Sequence, residues 1–575
     1  MRWKRIQTPE PGGTAWMFPS DRPLFFGVFS GKERNSGLFV AMLAPIWYTT
    51  IIWSGAGSLA PAKNPGRCPA GTCLRRRCAP KEDDVYKPTH AAQPDRRPLW
   101  EALILAALLA LFLAIQLPKL DSVPWDQYES WRQSDTYSIA VNYVQYGMDL
   151  LHPQLNYDGV SENYAQLELQ IVPYLSALVF QLTGTMTPVV PRLLCMLFFL
   201  GSAWFLYRLM RGISGRWPAL VGLGIYLFLP LSMMTAHVIQ PEACALFFYC
   251  GGVWLLWRFQ QTRRLAFLWG ASAMTAVAIM EKTPVAFVGL VFLYVLFSLG
   301  GLACLRSPVF YGCGLLTLGP PVALILYTSH HSVFRFVDGI GLKHIFSKEI
   351  LSIFTAEGQQ FFWEALPSRF GWGAVILGCV GLFFAVRRKL HFYGVWALAF
   401  ALECVTIVAV IRFPYYLVFL LPLCGALSAV AVQSLARLRL PLAAVACAAV
   451  AVTTVQGNLA LWPQTQADPI IAEVGQFIQA HTQPDEGVAI GVNNPSYLNA
   501  ANRRGYRANI AYYDYIPTGP EAEVTYFIEH GVRWFVVVQG WVYNDEDGAY
   551  RTYLREQFPV AATGTNCVIY DLQGE

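Results

Sequence analysis

Residues 99–117 read LWEALILAALLALFLAIQL and residues 131–159 read WRQSDTYSIAVNYVQYGMDLLHPQLNYDG: an apolar run followed, after a short connection, by a polar, acid-bearing segment. A helix needs about 20 mainly apolar residues to cross roughly 30 Å of hydrocarbon. The first run therefore reads as a membrane span that delivers Asp135 close to the water–lipid boundary. The rest of the chain extends that reading. Of its 575 residues 55% are hydrophobic, 14% aromatic and only 14% charged, and the mean hydropathy is +0.39. That is too apolar for a soluble protein of this length, so the composition implies a mainly α, polytopic membrane protein. The net charge of +5 is small. Arginines gather at the ends of apolar runs, where they act as topology determinants and not as nucleic-acid contacts.

Roughly eleven runs are apolar enough to span: 99–117, 190–209, 217–236, 243–259, 265–280, 284–303, 308–328, 371–386, 391–411, 414–433 and 440–460. Alternate connections carry Arg96 and Arg97; Arg208, Arg211 and Arg216; Arg258, Arg263 and Arg264; Arg306; Arg387, Arg388 and Lys389; Arg437 and Arg439. All fall on one side. The positive-inside bias makes that side cytoplasmic, together with the N-terminus, and places the Asp135 loop and the C-terminus outside.

Three domains follow. Residues 96–462 form the membrane domain, whose first extracytoplasmic connection, 118–189, is too long for a turn. Within it Tyr137, Ala140, Val141 and Val144 fall at i, i+3, i+4 and i+7, the spacing of one helical face, and Gly147 can end the run. Such a helix is expected to lie on the membrane surface. A second segment, 167–180, holds Pro173, is short for a span and is placed at the interface. Another long outer connection, 328–369, carries His330, His331, Arg335, Asp338, Lys343 and Lys348 and reads as a lid or recognition loop. After Trp462 the composition changes. Residues 463–575 read as a soluble α/β domain with helices at 468–481 and 521–530 and strands at 487–492, 533–538 and 566–572. Residues 1–95 are rich in proline, glycine and basic groups and read as a poorly ordered extension, with its place in the native product left open.

Thirteen cysteines include ten scattered mostly through apolar runs, as buried thiols are; Cys68, Cys73 and Cys78 cluster without a nearby histidine, a poor zinc-ligand spacing. No phosphate loop, zinc-protease pair, serine-hydrolase elbow or dinucleotide fingerprint occurs. What remains is a set of charges that the topology puts on one face. Asp135 stands three residues after Arg132, so the two can pair on a helix. Glu168, Glu242 beside Pro241, Glu281 with Lys282, and Arg412 with Tyr415 and Tyr416 lie on the same side. Acids near the membrane plane are costly unless paired or used, and the cations are suited to hold a phosphate or neutralise a carboxylate. Asp135 and Glu242 are also where a divalent metal could enter, although carboxylates alone do not specify one. Glu403, inside a span, is left out of the site.

The segment 131–159, followed by ELQIVPYLSALVF from Glu168 and PRLLCMLFF from Pro191, resembles the first loop of bacterial membrane glycosyltransferases related to protein O-mannosyltransferases and the aminoarabinose transferase of lipid A. EKTPVAF from Glu281 and RFPYYLVFLLPL from Arg412 are similar to two further blocks of that C-type (GT-C) fold. The resemblance covers residues 98–575. It implies a GT-C helical bundle with a C-terminal extracytoplasmic domain, located in the bacterial inner membrane. It further implies a sugar donor carried on polyprenyl phosphate, a lipid, glycan or protein acceptor, and Asp135 as the catalytic carboxylate. Two departures stand out: Glu168-Leu169-Gln170 replaces the frequent E-F-P, and Glu242 stands where aspartate is common.

An inverting transfer fits these residues. Asp135 accepts the proton of an acceptor hydroxyl, or hydrogen-bonds it, as the oxygen attacks the anomeric carbon. Arg132, Lys282 or Arg412, with Tyr415 and Tyr416, stabilises the departing lipid phosphate, and Glu168 and Glu242 orient the acceptor or hold a metal. The alternative from another class is a secondary transporter or flippase, which predicts repeated halves with broken helices. No such symmetry is visible in the sequence.

Overall fold

The computed structural model describes residues 98–332, 334–335, 348–510 and 516–574. By its contacts the chain divides into two units, one of which spans residues 22–108 and contributes only the described start of the first helix. The extension 1–95 and part of the 328–369 connection lie outside the described residues.

Helix α1, Leu99–Gln116, continues as a 3₁₀ turn to Lys119. The first loop then contributes α2, Ser130–Tyr146, a two-residue strand β1, Ala165–Gln166, and α3, Ile171–Thr183. Five helices follow: α4, Val189–Ser214; α5, Arg216–Phe228; α6, Pro230–His237; α7, Glu242–Thr262; and α8, Leu265–Glu281. Next come α9, Gly289–Gly300, flanked by 3₁₀ turns, α10, Pro308–His331, and the short strand β2, Phe334–Arg335. The bundle closes with α11, Ala356–Phe370; α12, Trp372–Arg387; α13, His391–Glu403, which runs through a π-helical turn Cys404–Val408; α14, Leu420–Leu438; and α15, Leu440–Leu461.

Among the described residues seven helices are long and apolar enough to cross a membrane, and up to nine spans result if each of two bent pairs counts as one. The expected eleven are therefore not reached on length and composition. The run at 265–280 is a helix of 17 residues. The run at 243–259 is long enough but begins on Glu242 and carries Arg258. Both bends have local causes. Pro230 opens α6 after an extended Leu229 and turns it 63° from α5. Between α11 and α12 the chain turns 100° at Gly371, whose φ of +74° suits glycine. A Cβ at Gly381 of α12 would strike the backbone carbonyl of Leu427 in α14, so those helices meet backbone to backbone. Gly381→Val is expected to destabilise the detergent-solubilised protein by about 1–3 kcal/mol, the usual cost of overpacking, read as a lower thermal midpoint.

The C-terminal part opens on α16, Pro469–His481, capped by Asp468, whose carboxylate accepts from the backbone of Ile470 and Ile471. Then come β3, Gly487–Ile490; α17, Ser496–Ala501; β4, Gly505–Arg507; α18, Pro520–Glu529; β5, Val532–Val538; α19, Ala549–Gln557; β6, Val560–Thr563; and β7, Cys567–Asp571. The sheet order is β4-β3-β5-β7-β6, with β3 parallel to β4 and β5 and with β7 antiparallel to β5 and β6.

The first loop is built into this domain. Ile139, Tyr143, Leu155 and Tyr157 join the core of Val488, Phe535 and Leu498. At the β4 edge, Gly159 donates to the Gly505 carbonyl at 2.9 Å and the Gly505 amide donates to Asn156 at 3.1 Å. The face of Tyr137, Ala140, Val141 and Val144 packs on Phe180 and Val190. Helix α2 is thus held between α3 and the C-terminal domain, and does not lie free on a membrane surface as its amphipathic spacing suggested. Helix α3, at 13 residues, is too short to span, as expected.

Candidate active site

Lys282 follows the last residue of α8, where the chain leaves the helix in an extended conformation. Its side chain is buried, with Nζ 2.7 Å from Glu242 Oε1 and 3.5 Å from Glu168 Oε1. Glu168 in turn receives Arg132 Nη2 at 2.8 Å. Tyr415 and Tyr416 offer their ring faces to Lys282, with centroids 5.2 and 4.6 Å from Nζ. Each partner arrives on a different element. Arg132 stands in the first turn of α2, and Glu242 is the first residue of α7, after Pro241. The Glu168 segment is tied to the end of α8 by Leu169 donating to the Met280 carbonyl at 2.9 Å and by Ile171 donating to Glu281 Oε1 at 3.3 Å. Burial alone would raise the Glu168 carboxyl, but the Arg132 and Lys282 charges outweigh it and hold the group at about 2. Beside Glu168 a small, mainly apolar recess of about 20 Å³ opens between α8 and α10, lined by Leu167, Ile279, Met280, Pro321, Leu324 and Ile325.

Asp135 does not pair with Arg132. One of its oxygens accepts from the Tyr157 hydroxyl at 2.9 Å and the other from Asn499 Nδ2 at 2.8 Å. Burial pushes its carboxyl up to about 6, while those two hydrogen bonds and the Arg132 and Arg507 charges pull the other way. Arg507 grips Asp158 through two nitrogens, at 3.2 and 2.8 Å, and lies over the rings of Trp131 and Tyr157. The first loop and the C-terminal domain thus share one polar seam, and Asp135 sits in it.

Six of the residues singled out from the sequence converge: Arg132, Glu168, Glu242, Lys282, Tyr415 and Tyr416. Asp135 is linked to them through the field of Arg132. Arg412 is not brought in. With φ +57° it ends its helix, and its Nε donates to the Ala409 carbonyl at 3.1 Å, so it shapes the turn that presents the tyrosine pair. Asp135 and Glu242 face different partners and do not form one donor set for a divalent metal. Among the described residues no group of three or more His, Cys, Asp or Glu side chains is arranged to hold a metal ion.

Four residues of this region were not foreseen. Arg192, fully buried in α4, donates to the carbonyls of Ser122, Val123 and His237 at 3.1, 3.0 and 2.8 Å and anchors the start of the first loop. An arginine inside the apolar PRLLCMLFF block was a visible signal for it. Asp126 accepts from the Tyr128 amide at 2.9 Å and from Gln133 Nε2 at 2.7 Å. Arg369 lies over the Tyr128 ring at 5.2 Å, and its buried Nε and Nη1 have no hydrogen-bond partner among the described residues. Glu129 lies within the electrostatic reach of Arg369, Glu242 and Lys282.

Residues 170–327 match the family described as dolichyl-phosphate-mannose-protein mannosyltransferase. No curated protein matches the sequence. Among solved structures, the chain is similar to ArnT from Cupriavidus metallidurans bound to undecaprenyl phosphate, at 14% identity and TM-score 0.59 over 82% of this chain and 98% of that one. It is also similar to the archaeal oligosaccharyltransferase AglB from Archaeoglobus fulgidus in complex with an inhibitory peptide and a dolichol-phosphate, at 11% identity and TM-score 0.55 over 76% and 69% of the two chains. The Archaeoglobus fulgidus oligosaccharyltransferase tethered with an acceptor peptide containing the NVT sequon matches at 13% identity and TM-score 0.53, over 82% and 74%.

Proposed function

The chain is an integral membrane protein with the GT-C fold of membrane glycosyltransferases, and from that premise we propose that it transfers a sugar from a polyprenyl-phosphate donor to an acceptor hydroxyl on the extracytoplasmic side. The observation that carries this reading is the buried Lys282, flanked by Arg132 and two tyrosines, beside an apolar recess between two helices. A lipid phosphate is a dianionic or monoanionic head on an apolar chain, and such a site matches both ends. The head lies against Lys282 and Arg132 with the Tyr415 and Tyr416 hydroxyls as further donors, and the prenyl chain leaves between α8 and α10. The undecaprenyl phosphate and dolichol-phosphate carried by two similar structures support the choice of donor. The alternating arginines support the reading that this end of the bundle, the first loop and residues 463–575 lie outside the cytoplasm.

Transfer proceeds by a single displacement that inverts the anomeric carbon. The acceptor oxygen forms the new bond as the bond from that carbon to the phosphate oxygen breaks, and the electron pair leaves on lipid phosphate. In that step Asp135 is the catalytic carboxylate that orients the acceptor hydroxyl. A carboxylate has about four lone-pair sites, and Tyr157 and Asn499 use two of them. Asp135→Asn keeps the shape of the group and exchanges an acceptor for a donor, so transfer is expected to fall about 10²-fold with expression and folding unchanged. Full turnover in the purified variant would remove Asp135 from the mechanism. For the reaction itself, purified protein in proteoliposomes is given a panel of radiolabelled undecaprenyl-phosphate sugars and sugar release is followed. Release from at least one donor is expected; none from any would sink the proposal.

A further inference from the structure

Glu129 is held in an unusual conformation at the entrance to α2. Its φ of +66° and ψ of +43° are left-handed, a region that a residue with a Cβ seldom occupies. Neighbours on both sides enforce it. Asp126 Oδ1 accepts from the amide of Tyr128, just before Glu129, and from the side chain of Gln133, one helical turn after it, at 2.9 and 2.7 Å. Tyr128 is further fixed beneath Arg369. Such strain persists only where the surroundings over-determine it, and it collects at sites where a side chain must be aimed.

Most other carboxylates in this region are already engaged. Glu168 holds Arg132 and Lys282, Glu242 holds Lys282, Asp158 holds Arg507, Asp126 closes its own turn, and Asp135 accepts from Tyr157 and Asn499. The Glu129 side chain forms no hydrogen bond or ion pair among the described residues and is only half-buried, so part of it stays accessible. It lies in the field of Arg369, Glu242, Asp126 and Lys282, and its own charge acts on Tyr128 and Tyr415.

We propose that Glu129 is a second catalytic carboxylate, the base that takes the acceptor's proton, while Asp135 holds the acceptor hydroxyl in line. This inference rests on the transfer reading given above. The balance of the step is simple. The acceptor O–H proton passes to a Glu129 oxygen as the acceptor oxygen bonds to the anomeric carbon. Lipid monophosphate leaves with the electron pair, and Glu129 afterwards releases its proton to water. The electrostatics suit the role. Burial first, then the Glu242 and Asp126 charges, raise the carboxyl to about 7 against the opposing pull of Arg369 and Lys282, and a base is most effective when it titrates near the working pH.

The test uses the full-length protein with whichever undecaprenyl-phosphate sugar the wild type turns over. Wild-type kcat is expected to rise with pH through about 7 as Glu129 ionises. Glu129→Gln should lower kcat by about 10²–10⁴-fold and lose that rising limb, while the Kd for undecaprenyl phosphate stays equal or tightens, because a negative charge near the phosphate is removed. Glu129→Asp should keep the pH limb at reduced kcat. A Gln variant within threefold of wild-type kcat, or one that loses lipid binding in step with turnover, overturns the role of Glu129 and leaves the transfer reading standing. A wild type that releases no sugar from any donor overturns that reading and this inference with it.

Discussion

Lys282→Met is expected to yield a protein with no measurable transfer and a sharply lower thermal midpoint in detergent. Two effects coincide. Lys282 is 3% exposed and faces a 2% exposed Glu242 and an 18% exposed Glu168, so its removal strands a buried negative charge on Glu242. Breaking a buried ion pair from one side costs about 3–5 kcal/mol, a large fraction of the net stability of an ordinary domain. The second effect is chemical. Loss of a positioned charge opposite a leaving group lowers kcat about 10²–10³-fold. The two separate in the double variant Lys282→Met, Glu242→Gln. Methionine and glutamine fill similar volumes without a stranded charge, and Glu168 keeps Arg132. The thermal midpoint should recover most of its loss while transfer stays absent. Recovery of both would show that Lys282 serves packing alone. Recovery of neither would point to a second partner for the ammonium group, and the tyrosine pair is the place to look for it.

Arg507→Met is expected to loosen the C-terminal domain from the first loop. The guanidinium is fully buried, bonds both oxygens of Asp158, reaches Asn493 at 3.0 Å and stacks between Trp131 and Tyr157. A bidentate arginine has no equivalent among other side chains, and leaving Asp158 buried without it costs about 3–5 kcal/mol. Limited proteolysis should then release a C-terminal fragment at protease levels that leave the wild type intact. Transfer should fall as well, because Tyr157 and Asn499 hold Asp135 across the same seam. Arg507→Met with Asp158→Asn should restore protease resistance. A single variant as resistant as the wild type would mean that the shared apolar core holds the domain without help.

The membrane bundle was legible because hydropathy alone decides which stretches enter lipid, and the apolar runs appear as helices in their expected order. Span number was less legible. Proline and glycine at 230 and 371 bend helices that a hydropathy window reads as separate or continuous runs, and α8, at 17 residues, is shorter than the 21-residue α7 before it. In the C-terminal domain the strands with several consecutive β-branched or aromatic residues, such as Val532–Val538, were found. Gly505–Arg507 was not, because three residues carry no alternation and the strand exists only through pairing with Val488–Ile490 and the first loop. At the site, charge and topology singled out Glu168, Glu242 and Lys282, whose side chains meet in the fold, since long-range pairing is what makes buried charges tolerable. The partner of Asp135 was out of reach: i,i+3 spacing pointed to Arg132, whereas tertiary packing supplied Tyr157 and Asn499. Glu129 was invisible for a different reason. What distinguishes it is a backbone angle and an unengaged carboxylate, neither of which is written in residue type.

The seam between Asp158 and Arg507 joins positions 349 residues apart. A ribosome feeding this chain into a membrane exposes Asp135, Tyr157 and Asp158 before most of the bundle is made, and supplies Asn499 and Arg507 only after its last helix. Throughout that interval the β4 partner strand is missing and the first loop has no lid over its acids. If Asp135 acts as proposed, a chain that stalls before residue 499 carries its bundle in the bilayer while Asp135 still lacks its Asn499 partner.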